Sequence, residues 1–217
     1  TLSSYIEILF NYMQEIQIIP IESKKDLKKF IHFNYDLYKN NEYAVPELAL
    51  DLMNTFSKKK NAALEFCDFQ LFLAKREGKV VGRIAAIINH KANKVWETEE
   101  VRFGWIDFIE DTAVSKALLD TVEKWGKERG MKKMVGPLGF TDFDREGMLI
   151  EGFDRLGTMS TYYNYPYYPQ HMEQHAMEKE IDWVERYVEC PDEIPEKYVR
   201  ISALVAKRSS LRVKKLQ

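Results

Sequence analysis

Only two of the 217 residues are cysteine, Cys67 and Cys190, too few for a fold built on disulfides. With no signal-peptide pattern at the start, the expected compartment is a reducing cytoplasm. No apolar run approaches the ~18 to 20 residues that a membrane span needs, so no membrane partner is expected. Charge of one sign is missing too: 32 Lys and Arg against 34 Asp and Glu leave a formal net charge of -2. Such a balance gives no general attraction to phosphate backbones and argues against a nucleic-acid partner. Histidine is scarce, with four residues. His171 and His175 have the i, i+4 spacing of helical metal ligands, but the glutamate of a zincin motif does not follow the first histidine and no third ligand is evident, so no metal is expected. Repeats and low-complexity segments are absent.

What is present describes an ordinary globular chain, 45% hydrophobic and 30% charged, long enough for one large domain with a sizeable core. Its organising stretch is residues 101–148. Residues 102–109 are aromatic and β-branched, as in a buried strand. A helix follows in which Val114, Ala117, Leu118, Thr121, Val122 and Trp125 fall on one face. Asp111 or Thr112 caps its start, and Gly130 supplies the left-handed stop. Residues 131–135 begin a second strand that breaks at Gly136-Pro137. A helical crossover of this length joins parallel neighbours, making a βαβ unit whose open loops usually hold the ligand.

Before this unit, residues 14–21 alternate as a strand, Ser23 caps a helix, and a short helix follows Pro46. Residues 69–76 and 80–89 form a hairpin about Glu77-Gly78-Lys79, with Gly82 marking a bulge or a close backbone approach. After Gly139 comes a long aromatic loop in which residues 161–174 lead into a short helix, then a closing strand over residues 178–188 and a last helix. The expected fold is α/β with a mixed sheet in the order β-α-α-β-β-β-α-β-α-β, mostly antiparallel at the centre, with one parallel, splayed strand pair. Residues 1–12 differ in character from the rest of the chain and read as an extension, residues 13–190 as the domain, and residues 191–217 as a helix or linker with a basic tail.

This order resembles the GNAT acyltransferase superfamily, and within it a bacterial subfamily that often carries two such domains in tandem. The resemblance spans residues 14–200. It rests on YDLYKNNEYAVPEL (residues 35–48), FLAKREGKVVGRIAAIINH (72–90), FGWIDFIED (103–111), KWGKERG (124–130), VGPLGF (135–140), EGMLIEGFD (146–154) and YYNYPYYP (162–169). It implies the N-terminal half of a tandem protein, and an acyl-CoA-dependent N-acyltransferase taking acetyl-CoA or another acyl-CoA as cosubstrate and a small-molecule or peptide amine as acceptor. A second GNAT-like domain or a homodimer is the implied protein partner. The rival reading is a non-catalytic GNAT-like docking module, and a third is a toxin-like or tRNA-modifying acyltransferase, which the charge balance does not favour.

In the family, a glycine-rich loop and the helix start after the fourth strand hold the CoA pyrophosphate. Residues 108–113 (FIEDTA) match that position, with no glycine and two acids. The residues implied for the cosubstrate are Ile106, Phe108, Thr112, Ala113, Gly136 and Asn164. A tyrosine usually protonates the departing thiolate, and Met172 stands at its place, so Tyr168 or Tyr163 from the adjoining loop is the implied proton donor. His90 reads either as general base or as a structural strand-end residue. Tyr38, Tyr163 and Tyr165 are the expected acceptor-binding residues, although aromatics around prolines also form packed loops. Asp142, Asp144 and Glu146 bind a cationic substrate or are solvated.

Overall fold

The computed structural model describes residues 15–210 and 214. Residues 1–12 lie outside them. The chain divides into two compact units, residues 1–182 and 183–217.

In the first unit, β1 (Gln17–Pro20), β2 (Cys67–Arg76), β3 (Lys79–Asn89), β4 (Glu100–Phe108) and β5 (Lys133–Val135) form one sheet in chain order. The first four pair antiparallel and β4 pairs parallel with β5. This is the mixed α/β sheet that the hairpin and the βαβ unit predict. Helix α1 (Lys24–Tyr38) starts at Ser23, whose Oγ accepts from Asp26 N–H at 3.1 Å. Helix α2 (Ala49–Thr55) follows Pro46. A short helix not anticipated from the sequence, α3 (His90–Trp96), follows β3; Asn89 caps it by accepting from Ala92 N–H at 2.9 Å. The crossover helix α4 (Thr112–Lys127) is capped by Asp111, and Gly130 takes up φ +80° beyond its end. Helix α5 (Tyr167–Gln174) closes the aromatic loop.

Both sheet faces are covered, which is why β2 and β3 read as nearly continuous apolar runs. Phe72, Ala74, Ile84, Ala86 and Ile88 pack under Val114, Leu118, Val122 and Trp125 of α4. The alternating residues Leu71, Leu73, Ala85 and Ile87 pack on Phe30, Ile31, Leu52 and Phe56 of the α1 and α2 side. Gly82 meets its expectation twice. The register of β2 against β3 slips beside it, at Ala74/Lys75, and a Cβ on it would lie 2.8 Å from Leu118 Cδ1.

The second unit contains helix α6 (Glu196–Arg208). The strand expected over residues 178–188 does not form; that stretch is irregular and exposed. Its alternation of apolar and polar residues suits a strand, but a strand needs a hydrogen-bonding neighbour, and none pairs with it among the described residues.

Candidate functional site

Strand β4 carries the site, and a bulge sets its direction. Arg83 of β3 pairs with Asp107 and Ala85 with Gly104, so Trp105 and Ile106 together oppose Ile84. Trp105 sits at φ +44°, a region that bulky residues rarely enter. The extra residue inverts the alternation. Phe103 packs toward α4, whereas Trp105 packs on the α1 and α2 side with Asp107 and its partners. On its other edge β4 pairs with β5 only from Glu100 to Arg102. Leu138 N–H still donates to Phe103 O at 2.9 Å, and beyond that point the fifth strand gives way to a loop. A cleft opens there, walled by Trp105, Ile106, Asp107, Pro137, Gly147, Met148, Tyr162, Tyr163, Asn164 and Tyr168. It encloses about 20 Å³, room for one water molecule. A larger ligand requires an outward shift of the loop that carries Gly147, Met148 and Tyr162.

The floor of the cleft is a buried polar network centred on Asp107, 5% exposed. Arg83 Nε and Nη2 each lie 2.7 Å from Asp107 Oδ2, and Asn34 Nδ2 donates to the same oxygen at 3.0 Å. Arg83 Nη1 donates to Phe30 O at 3.0 Å, which ties the pair to α1. On the other carboxylate oxygen, Oδ1, Tyr38 and Tyr168 donate at 3.1 and 3.2 Å, and the two phenol oxygens are 3.0 Å apart. Tyr168 also accepts from Phe108 N–H at 3.1 Å. Two phenolic hydrogens therefore serve three oxygen–oxygen contacts, so the protons have more than one arrangement open to them. Burial first, then the Asp107 charge, holds both phenols well above the usual tyrosine range. Each is thus a neutral proton donor and not a base.

Tyr38, Tyr163, Asn164 and Tyr168 lie close together, brought from α1 and from the stretch around the start of α5. Their work is partly architectural. Tyr163 accepts from Asn41 Nδ2 at 2.9 Å and donates to Phe153 O at 3.2 Å. Asn164 accepts from Leu149 N–H at 2.6 Å and returns an N–H to Leu149 O at 3.1 Å, bracing two loop segments as a strand partner would. Tyr165 does not wall the cleft: it stacks on Tyr38 with ring centroids 5.0 Å apart and donates to Leu37 O. Ile106 does wall it. Phe108 is fully buried, its N–H engaged by Tyr168 and its C=O by Tyr167 at 2.6 Å, so its backbone is not free for a ligand. Gly136 lets the loop press on β4, since a Cβ there would lie 2.4 Å from Phe103 O.

His90 does not join the cluster. It begins α3 just beyond β3, roughly 20 Å along the chain from Arg83 in the middle of that strand, exposed and 2.9 Å from Asp68. Seven residues of extended chain put the two too far apart for one site.

At the start of α4, Thr112 and Ala113 do not offer an open anion cradle. Ala113 N–H donates to Asp111 Oδ1 at 2.9 Å, and Val114 and Ser115 donate to Asp111 O. Arg76 Nη1 lies 2.6 Å from Asp111 Oδ2 and holds that carboxyl below the usual range. One of the two acidic charges is thereby neutralised. Arg76 Nε is buried without a partner, so the positive group there has a donor left for an anion. The residues thus fit a phosphate if Asp111 yields.

Sequence reasoning missed Asp107, Arg83 and Glu47. An arginine inside VVGRIAAII and an aspartate inside FGWIDF are a legible sign of a buried ion pair between neighbouring strands. Glu47 lies on the loop before α2, held to α1 by Tyr35 Oη, which donates to Glu47 O at 2.5 Å. Burial pushes its carboxyl above the usual range, partly offset by Arg145 and Arg83. The Trp105 indole N–H lies beside that carboxyl and favours its ionised form, through a contact longer or more bent than a well-formed hydrogen bond.

Among the described residues no helix is long and apolar enough to cross a membrane, and no group of three or more His, Cys, Asp or Glu is placed to hold a metal. Residues 34–139 match the acetyltransferase (GNAT) family. The chain is 34% identical over 168 residues to Protein YghO of Escherichia coli (strain K12), covering 76% of this chain and 43% of that protein. It is 30% identical over 141 residues to the bacterial ceramide synthase of Caulobacter vibrioides, covering 64% and 37%. The chain thus spans less than half the length of either relative. Among solved structures, a tandem GNAT protein from the clavulanic acid biosynthesis pathway superposes with a TM-score of 0.49 at 10% identity, over 75% of this chain and 43% of that one. It is through residues 34–139, just under half of its length, that this chain matches the acetyltransferase (GNAT) family.

Proposed function

We propose that the chain is the acyl-CoA-dependent N-acyltransferase domain of a longer, tandem-type protein, acting on a small-molecule amine. The observation that carries this reading is the Tyr168 phenol, hydrogen-bonded to Asp107 in the floor of the cleft where β4 loses its fifth-strand partner. In the reaction a neutral amine attacks the thioester carbonyl, the C–N bond forms, the C–S bond breaks, the nitrogen sheds one proton and the thiolate takes one up. Tyr168 is the neutral donor to the thiolate, and the proton shed by the nitrogen returns to it through Tyr38. Ile106 borders the acyl group, while Arg76, Thr112 and Ala113 meet the phosphates once Asp111 swings away. The ceramide synthase relative supports acyl groups longer than acetyl, because ceramide is an N-acyl lipid.

Calorimetric titration with acetyl-CoA and a longer acyl-CoA, with desulfo-CoA as control, tests the first half of the reading. Thiol release on addition of an amine panel tests the second. Saturable binding with amine-dependent release is expected. Absence of both in the purified chain would leave the docking-module reading in its place.

A further inference from the structure

Three polar side chains at the contact between α4 and α5 take no part in the transfer chemistry above. Ser115 of α4 is fully buried, and its Oγ lies 2.9 Å from His171 Nδ1 and 2.8 Å from His175 Nε2. Its one hydrogen goes to Thr112 O at 3.1 Å. A hydroxyl that has given away its hydrogen can only accept, so His171 carries a proton on Nδ1 and His175 one on Nε2. Both lone pairs of the oxygen are then taken. Neither histidine walls the cleft.

What these residues hold is the helix that carries Tyr168. Helix α5 has eight residues and no side-chain cap at its start, and an isolated helix of that length is not stable in water. Its place depends on its side chains. Tyr168, His171 and His175 follow at i, i+3 and i+7, on one face. Tyr168 and His171 both stack on the Phe108 ring, with centroids 4.2 and 5.2 Å away, and the Tyr167 phenol donates to Phe108 O at 2.6 Å. The start of α5 is thus tied to β4 and its end to α4.

We propose that Ser115, His171 and His175 are positioning residues for Tyr168: they clamp α5 to α4 and so fix the phenol in the cleft, and protonation of the histidines slackens the clamp. This rests on the transferase reading and names a control of the same site. His171 is faced by His175, Glu110 and Asp111, with the uncharged rings of Phe108 and Tyr167; His175 is faced by Lys116 and Asp120 of α4. Burial first, then His175 for the one and Lys116 for the other, holds both imidazoles below the usual histidine range, against the pull of the three carboxylates. A released α5 exposes histidines of ordinary pKa, about 6.5, so acid favours release.

The test sets kcat against KM and pH. His171→Ala/His175→Ala removes both donors and should lower kcat for amine-dependent thiol release about tenfold or more at neutral pH, with KM for acyl-CoA within about twofold of the parent. His171→Asn/His175→Gln keeps an N–H at each of the two places but does not titrate. It should restore kcat at neutral pH and flatten the fall that the parent shows below about pH 6.5. Amide exchange over residues 167–175, corrected for the intrinsic rate at each pH, reads the clamp with no acyl donor present. Protection should drop in the parent as the histidines protonate and hold steady in the second variant. An unchanged kcat in a folded first variant, or α5 protection in the parent that does not respond to pH, overturns the positioning role. A parent that releases no thiol at any pH, yet whose α5 protection follows the histidines, refutes the transferase reading and leaves the clamp standing.

Discussion

Tyr168 and Asp107, separated by 61 positions in sequence, meet through a 3.2 Å hydrogen bond from the phenol to Oδ1. Tyr168→Phe removes that donor and leaves Phe108 N–H without its partner. The expected result is a fall in amine-dependent thiol release of about 10²- to 10⁴-fold, with a stability loss of about 1–3 kcal/mol. Rates measured at temperatures where the variant is fully folded check this, and a rate within about twofold of the parent would remove Tyr168 from the proton path.

Asp107→Ala strands Arg83, 1% exposed, without its counter-charge. The expected destabilisation is about 3–5 kcal/mol, read from urea denaturation. Replacing both residues with apolar ones of similar volume should restore much of it, since the penalty belongs to the unpaired charge.

Asp111→Ala trades one contribution for another. The α4 cap is lost, at about 0.5–2 kcal/mol, while Ala113 N–H and Arg76 are released from the carboxyl. Acyl-CoA should then bind more tightly, as calorimetry can show. Weaker binding would mean that phosphates do not use this helix start.

Below neutral pH, the contact between α4 and α5 should loosen. Ser115 Oγ is 2.9 Å from His171 Nδ1 and 2.8 Å from His175 Nε2, and donates to Thr112 O. Both histidines therefore donate to it. Burial lowers both pKa values, His171 further through His175 and His175 through Lys116, against the pull of Glu110 and Asp111 on the first and Asp120 on the second. The unfolded chain then binds more protons than the folded one as pH drops below the free-histidine value of about 6.5, so stability falls with pH until the lowered folded values are passed. Urea midpoints should decrease below about pH 6.5, and a His171→Asn/His175→Gln double variant should flatten that decrease.

Gly104→Ala places a Cβ 2.4 Å from Leu138 O, a backbone atom that cannot rotate away. Strand β4 or the loop after β5 must shift, at about 1–3 kcal/mol. An unchanged melting temperature would show that the two segments are not in close contact in solution.

Much of this fold was legible because its signals are local. Ser23, Asp111 and Gly130 end helices through bonds within one turn, the Glu77-Gly78 hairpin closes on itself, and the period-two and 3.6-residue apolar patterns report which face is buried. The stretch over residues 178–188 misled because its pattern was equally local, while pairing depends on a partner elsewhere. The tyrosines around residue 165 announced a site but not their division of labour: Tyr168 reaches the carboxylate, and Tyr165 packs on α1. His90 looked catalytic by type and lies beyond the end of β3, away from Asp107. The sequence by itself determined the elements, the mixed sheet and the aromatic loop. Only the tertiary structure decided that a bulge at Trp105 turns Asp107 toward Arg83, Tyr38 and Tyr168 and leaves an indole N–H facing Glu47. One added residue in a strand reverses which face every later side chain occupies, and composition carries no record of that register.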